Sequence, residues 1–156
     1  MSPERFKNFG IGFAFLLIQV MLFRHLKIMQ VQPDLVLIFL VWYMARKDRT
    51  AALLMAAGLG FLQDAMLDLW GLNMFSKTLL VFMSYNFIPR GSKKELLIGQ
   101  VFLTIAIAAL IHNLIFLGLN VAIQSYTGEQ YFWRHLIGSS LYTAFVASFI
   151  QLFRTN

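Results

Sequence analysis

Six apolar runs occupy most of this sequence and leave little chain for anything else. They cover approximately residues 9–23, 33–45, 50–69, 72–88, 96–121 and 136–153. A helix crosses a hydrocarbon layer of about 30 Å in about 20 residues, so six crossings take roughly 120 positions. The chain has 156, and the remainder suffices only for loops and tails. The expected fold class is therefore all-α: a polytopic transmembrane helix bundle of about six spans, with residues 1–156 forming a single transmembrane domain. Charge content agrees, at 13% against about 25% in soluble domains.

The runs differ in quality. The first is broken only by Gly10, Gly12 and Gln19. Arg5 and Lys7 before it give a signal-peptide outline, but Arg24-His25-Leu26-Lys27 after it is no small-residue cleavage site, so it reads as an uncleaved first span. The second opens at Pro33-Asp34 and closes at Arg46-Lys47-Asp48-Arg49. Both are short for a bilayer, and five spans plus a re-entrant hairpin is the alternative count. Pro89-Arg90-Gly91-Ser92-Lys93-Lys94 is a loop by its Pro, Gly and charges.

The net charge of +6 is carried by short clusters between the runs. Topology and anionic headgroups explain such clusters, so no nucleic acid partner is implied. With six spans and an inside N-terminus, Arg5, Lys7, Arg46, Lys47, Arg49, Arg90, Lys93, Lys94 and Arg154 lie inside, and Arg24, Lys27, Lys77 and Arg134 outside. Cytoplasmic loops carry the excess of Lys and Arg, so both termini are expected in the cytoplasm. Tyr126, Tyr131, Phe132 and Trp133 then fall in the last outer loop as an interfacial aromatic belt.

The third run carries the sharpest pattern. Ala52, Ala56, Gly60, Asp64 and Asp68 recur every four residues and share one helix stripe. Its small part lets another backbone approach closely, and its end holds two carboxylates. A charge inside a span is costly and should face the bundle or a wet cavity. The plainer reading places Asp64 and Asp68 in an interfacial loop. If the chain turns near Trp70-Gly71, Asp64 and Lys77 lie at similar depths, roughly 10 Å below the turn. The spacing thus predicts an Asp64–Lys77 pair; alternatively Lys77 snorkels alone to the interface. Pro33-Asp34 reads as a helix start. His112 and Asn113 lie midway along the fifth run, as a proton relay or ligand site or, more plainly, as hydrogen-bonding glue between helices. Ser140, Ala144 and Ser148 form a second small stripe in the sixth run.

Catalytic signatures are missing: there is no HExxH, GxSxG or P-loop. With no cysteine, thiol chemistry and Cys-based metal sites are excluded. His25, His112 and His135 fall in separate segments. No catalytic residue, cofactor or metal site is expected, and the chain is not read as an enzyme.

Residues 32–88 resemble the MreD family, the small membrane subunit of the bacterial rod-shape complex. The matching elements are Pro33-Asp34-Leu35 opening an apolar run, the basic break at Arg46 to Arg49, Gly58-Leu59-Gly60-Phe61-Leu62-Gln63-Asp64, and Gly71-Leu72-Asn73. Gln63 and Lys77 depart from the usual family pattern. The resemblance implies a non-enzymatic scaffold of the bacterial cytoplasmic membrane that supports cell shape and lateral peptidoglycan synthesis. Its implied partners are an MreC-like single-span protein and, indirectly, the MreB filament, RodA and a class B penicillin-binding protein. It implies a fold similar to the substrate-binding subunits of energy-coupling-factor transporters. Pro33, Asp34, Gly60, Asp64 and Gly71 are carried over as structural or partner-contact positions. The small stripes are expected to supply the partner contact. The alternative function is a small-molecule binding subunit of a vitamin-type transporter, with Asp64, Asp68, Asn73 and Trp70 lining an outward cavity.

Overall fold

A computed structural model describes residues 3–23, 31–88, 98–124 and 129–155. They form six α-helices. Helix α1 (Pro3–Ile18) runs on into a π-helical turn at Gln19–Phe23. The others are α2 (Leu35–Met44), α3 (Arg49–Leu67), α4 (Leu72–Ser84), α5 (Ile98–Gln124) and α6 (Glu129–Thr155). The expected all-helical bundle is what the chain forms.

Three of these helices are long and apolar enough to cross a membrane, over Arg49–Leu67, Ile98–Ile123 and Gln130–Phe153. Phe6–Met21 and Leu35–Met44 are apolar but shorter. At about 1.5 Å rise per residue, α2 is only about 15 Å long and α4 about 20 Å.

Helix α2 is the hub. Nine of its ten residues are buried, all but Trp42, and it touches each of the other five helices. A helix that is apolar all round suits a protein core or a membrane span, and around α2 the other helices stand where lipid would. Around it, α3 and α4 form one antiparallel hairpin and α5 and α6 another, while α1 lies on α2 and α3. Gly12 brings α1 close: a Cβ there would come within 2.7 Å of Leu59 and 2.8 Å of Phe39.

The start of α2 lies deep in the bundle. Its approach segment contacts α6 near mid-length: Val31 packs on Gly138, Ser139 Oγ donates to the Gln32 carbonyl at 3.0 Å, and the Asp34 N–H donates to Thr143 Oγ1 at 3.0 Å. Non-helical backbone at such depth must find protein partners, because hydrocarbon offers none. Here α6 hydroxyls supply them. Within α2, the Val36 N–H donates to Gln19 Oε1 at 3.0 Å and the Leu37 N–H to Asp34 Oδ1 at 2.9 Å. The first turn is thus capped by its own Asp and by a glutamine from the π-helical turn.

The aromatic belt needs one correction. Tyr131, Phe132 and Trp133 are not in a loop; they belong to the first turns of α6, which starts at Glu129 rather than near residue 136. Tyr126 lies outside the described residues, as do Arg24, Lys27, Arg90, Lys93 and Lys94 of the charge count.

Candidate functional site

Polar residues of four helices, α2 to α5, meet in one buried network. Lys77, fully buried on α4, places its ammonium 2.7 Å from Asp34 Oδ2 and 3.2 Å from Asn73 Oδ1. His112 Nε2 lies 3.3 Å from the same Asp34 oxygen and 3.4 Å from Lys77 Nζ. A proton on Nε2 donates to Asp34; the other tautomer accepts from Lys77. Asn73 Nδ2 donates to Asp64 Oδ1 at 2.9 Å, so Asn73 joins the Lys77–Asp34 pair to the second carboxylate.

Lys77 therefore pairs with Asp34, and the expected Asp64–Lys77 pair is not formed. The reason is helix depth. Helix α3 stops at Leu67, and residues 68–71 turn without adding rise. Asp64 sits one turn from the end of α3, level with Asn73, whereas Lys77 lies about one further turn, roughly 5 Å, down α4. At that depth the carboxylate present is Asp34, held at the start of α2. The ammonium does not snorkel; it is 0% exposed. A buried charge of this kind is tolerable only when paired and hydrogen-bonded.

Asp64 has a different task. It caps α4 from the neighbouring helix: Oδ1 accepts the Asn73 N–H at 3.0 Å and Oδ2 the Met74 N–H at 2.8 Å. These are first-turn donors of α4 that an N-cap side chain ordinarily satisfies. The residue in the N-cap position is Gly71, with no side chain to offer and a left-handed φ of 82°. Asp64 replaces it, and the positive end of the helix dipole favours its charge.

Gly60 makes this reach feasible. A Cβ on Gly60 would lie 2.6 Å from Met74 Cα, 2.9 Å from Met74 N and 3.0 Å from the Asn73 carbonyl oxygen. Only glycine allows the α4 backbone so near, and one turn later the same face of α3 presents Asp64. The four-residue spacing thus combines close approach with capping. Ala52 and Ala56, the rest of that stripe, are fully buried. Asp68 ends α3 in the left-handed conformation (φ 55°), is exposed, and stands apart from the network.

The second small stripe also points inward. Asn113 Nδ2 donates to Ser140 Oγ at 3.0 Å across α5 and α6, and Ala144 is buried. Ala52, Ala56, Gly60, Ser140 and Ala144 are therefore used for packing within the bundle and do not form an outer seam, while Ser148 is half-buried. Trp70, placed with Asp64 and Asn73 in the imagined cavity lining, is 91% exposed while Asp64 and Asn73 are bonded to each other. Pro33 is fully buried just before the Asp34 cap. The sequence reading did not single out Thr143 and Ser139, which hold the approach to α2. Three hydroxyl residues within five positions of an apolar run, Ser139, Ser140 and Thr143, were the available signal. Among the described residues no group of three or more His, Asp or Glu could hold a metal ion.

The model of the family described as rod shape-determining protein MreD matches residues 6–156. The chain belongs to the MreD family. It is thus a rod shape-determining membrane protein, and the family is one of shape determination rather than of any established catalysis. No curated protein matches the chain. No solved structure matches it either, so the likeness to transporter subunits gains nothing from that comparison. In this MreD chain the Pro-Asp, Gly-x-x-x-Asp and Gly-Leu elements are the parts that build the buried network: the cap of α2 with its charge pair, the close approach and cap of α4, and the turn between α3 and α4.

Proposed function

We propose that the chain is a non-enzymatic scaffold subunit of the rod-shape complex in the bacterial cytoplasmic membrane, with both termini in the cytoplasm. It binds the single span of an MreC-like partner and through it serves the MreB filament, RodA and the class B penicillin-binding protein in lateral peptidoglycan synthesis. The observation that carries this reading is the family match over nearly the whole chain. The structure supports it in one respect: Asp34, Asp64, Asn73 and Lys77 bond one another and the helix starts, which suits a rigid body more than an open binding site.

Partner binding then falls to the outward apolar faces. Such contacts rest on packing and on lipid displacement, since lipid removes the hydrophobic drive between helices. The test is an affinity isolation of the tagged chain from mild-detergent membranes, with mass spectrometry of what accompanies it. Recovery of a single-span MreC-like protein with wall synthases is the expected result. Recovery of an ATPase module with a transporter scaffold in their place overturns the reading in favour of a vitamin-type transporter subunit.

A further inference from the structure

The polar network has an edge that proteins of lipid seldom leave open. His112 is 3% exposed, and its Nδ1 has no hydrogen-bond partner among the described residues. The same holds for His135 Nδ1 and Asn120 Oδ1. Whichever tautomer His112 adopts toward Asp34 and Lys77, Nδ1 is left as a lone acceptor or a lone donor. An unpaired polar atom in a bundle surrounded by hydrocarbon is strongly disfavoured, because nothing there replaces the hydrogen bond it makes in water.

These three atoms share one seam. His112, Phe116 and Asn120 recur every four residues along α5 and form one stripe. The Phe116 ring lies 6.1 Å from that of His112 and 6.4 Å from that of His135 on α6. His135 in turn stacks on Tyr131, with centroids 5.5 Å apart. Exposure rises along the seam, from 3% at His112 to 43% at Tyr131, toward the end where α5 stops and α6 starts. In the two turns of α5 before His112, the residues facing the bundle interior are the buried, apolar Ile105, Ala108 and Ala109. The other two unpartnered atoms, Arg49 Nε and Gln63 Oε1, belong to α3.

We propose that water enters the α5–α6 seam from the Tyr131 end, hydrates Asn120, His135 and His112 Nδ1, and so brings the aqueous phase into contact with the buried Asp34–Lys77–His112 cluster. Water suits all three atoms, because it both donates and accepts, and because it satisfies His112 in either tautomer. The cluster closes the seam at its inner end. The bundle thus holds a blind hydrated cleft, one-sided and reaching about the middle of α5. This inference does not depend on the partner proposed above.

The absence of native cysteine makes the test direct. Single-cysteine variants Asn120→Cys, Phe116→Cys, Ala109→Cys and Leu114→Cys of the full chain are placed in lipid nanodiscs and treated with a charged methanethiosulfonate. Leu114 is 56% exposed on the outward face of α5. The reagent reacts with thiolate, which forms only where water reaches. Cysteines at 120 and 116 are expected to react at least about tenfold faster than those at 114 and 109. Equal rates at 116 and 114, or a rate at 109 matching that at 116, overturn the proposal. A second measurement uses the unaltered chain: hydroxyl-radical footprinting should oxidise Phe116 more than Phe145, although Phe145 is 63% exposed on α6. The reverse order also overturns it.

Discussion

Lys77 and Asp34 are 43 residues apart in sequence and 2.7 Å apart in space. The pair ties α4 to the start of α2, the helix every other helix touches. It fixes the depth at which α2 begins.

The first prediction concerns this pair. Lys77→Met leaves Asp34 unpaired in the interior, and Asp34→Asn leaves Lys77 unpaired while retaining a good N-cap. Each single change should destabilise by about 3–5 kcal/mol, and the double change should recover a large part of that. Denaturation midpoints in detergent measure it. Asp64→Asn combined with Lys77→Met should give no such recovery. Rescue by Asp64→Asn would restore the pairing that residue counting suggests.

The approach of α3 to α4 gives a second. Gly60→Ala forces a Cβ against backbone atoms of Met74 and Asn73, which cannot rotate away. A loss of about 1–3 kcal/mol or more is expected from overpacking. Gly58→Ala meets only the Phe9 ring at 3.6 Å and should be near neutral. Comparing the melting of the two variants decides it.

Capping from a neighbouring helix predicts a local signature. Asp64→Ala removes the acceptors of two first-turn N–H groups of α4. Loss of a cap costs about 0.5–2 kcal/mol, and more when the donors are buried. Amide hydrogen exchange at Asn73 and Met74 should accelerate well beyond that at Leu80 and Val81 further along α4. Uniform acceleration along the helix would show global loosening and no cap.

The hairpin turn gives a prediction of the opposite sign. Asp68 holds a left-handed φ of 55° and is exposed, with no part in the network. Asp68→Gly should be neutral or stabilise by up to about 1 kcal/mol, since glycine adopts that conformation without steric cost. Gly71→Ala, at φ 82°, should destabilise by about 1 kcal/mol. The thermal midpoint should fall for Gly71→Ala and hold or rise for Asp68→Gly.

The legible parts of the site were those with local signals. Pro33-Asp34 announced a helix start, and Asp34 does cap α2. Gly60 announced close approach, and α4 lies against it. Gly71 announced a turn, and φ is positive there. Lys77 stands out within an apolar run, but counting residues from the turn points to the wrong carboxylate, because residues 68–71 add no helical rise.

By itself the sequence determined that this chain is a bundle of helices for a membrane, and it marked where several of them start and turn. Hydropathy, proline, glycine and capping residues act over a few residues, so their meaning survives in one dimension. Only the tertiary structure decided that α2 is the hub, that its start lies deep against Ser139 and Thr143, that Asp34 rather than Asp64 neutralises Lys77, and that Ala52, Ala56, Gly60, Ser140 and Ala144 are used up inside. Those outcomes depend on the relative depth and rotation of helices, which are set by packing between segments far apart in the chain. A shift of one helical turn, about 5 Å, is enough to exchange one carboxylate for another.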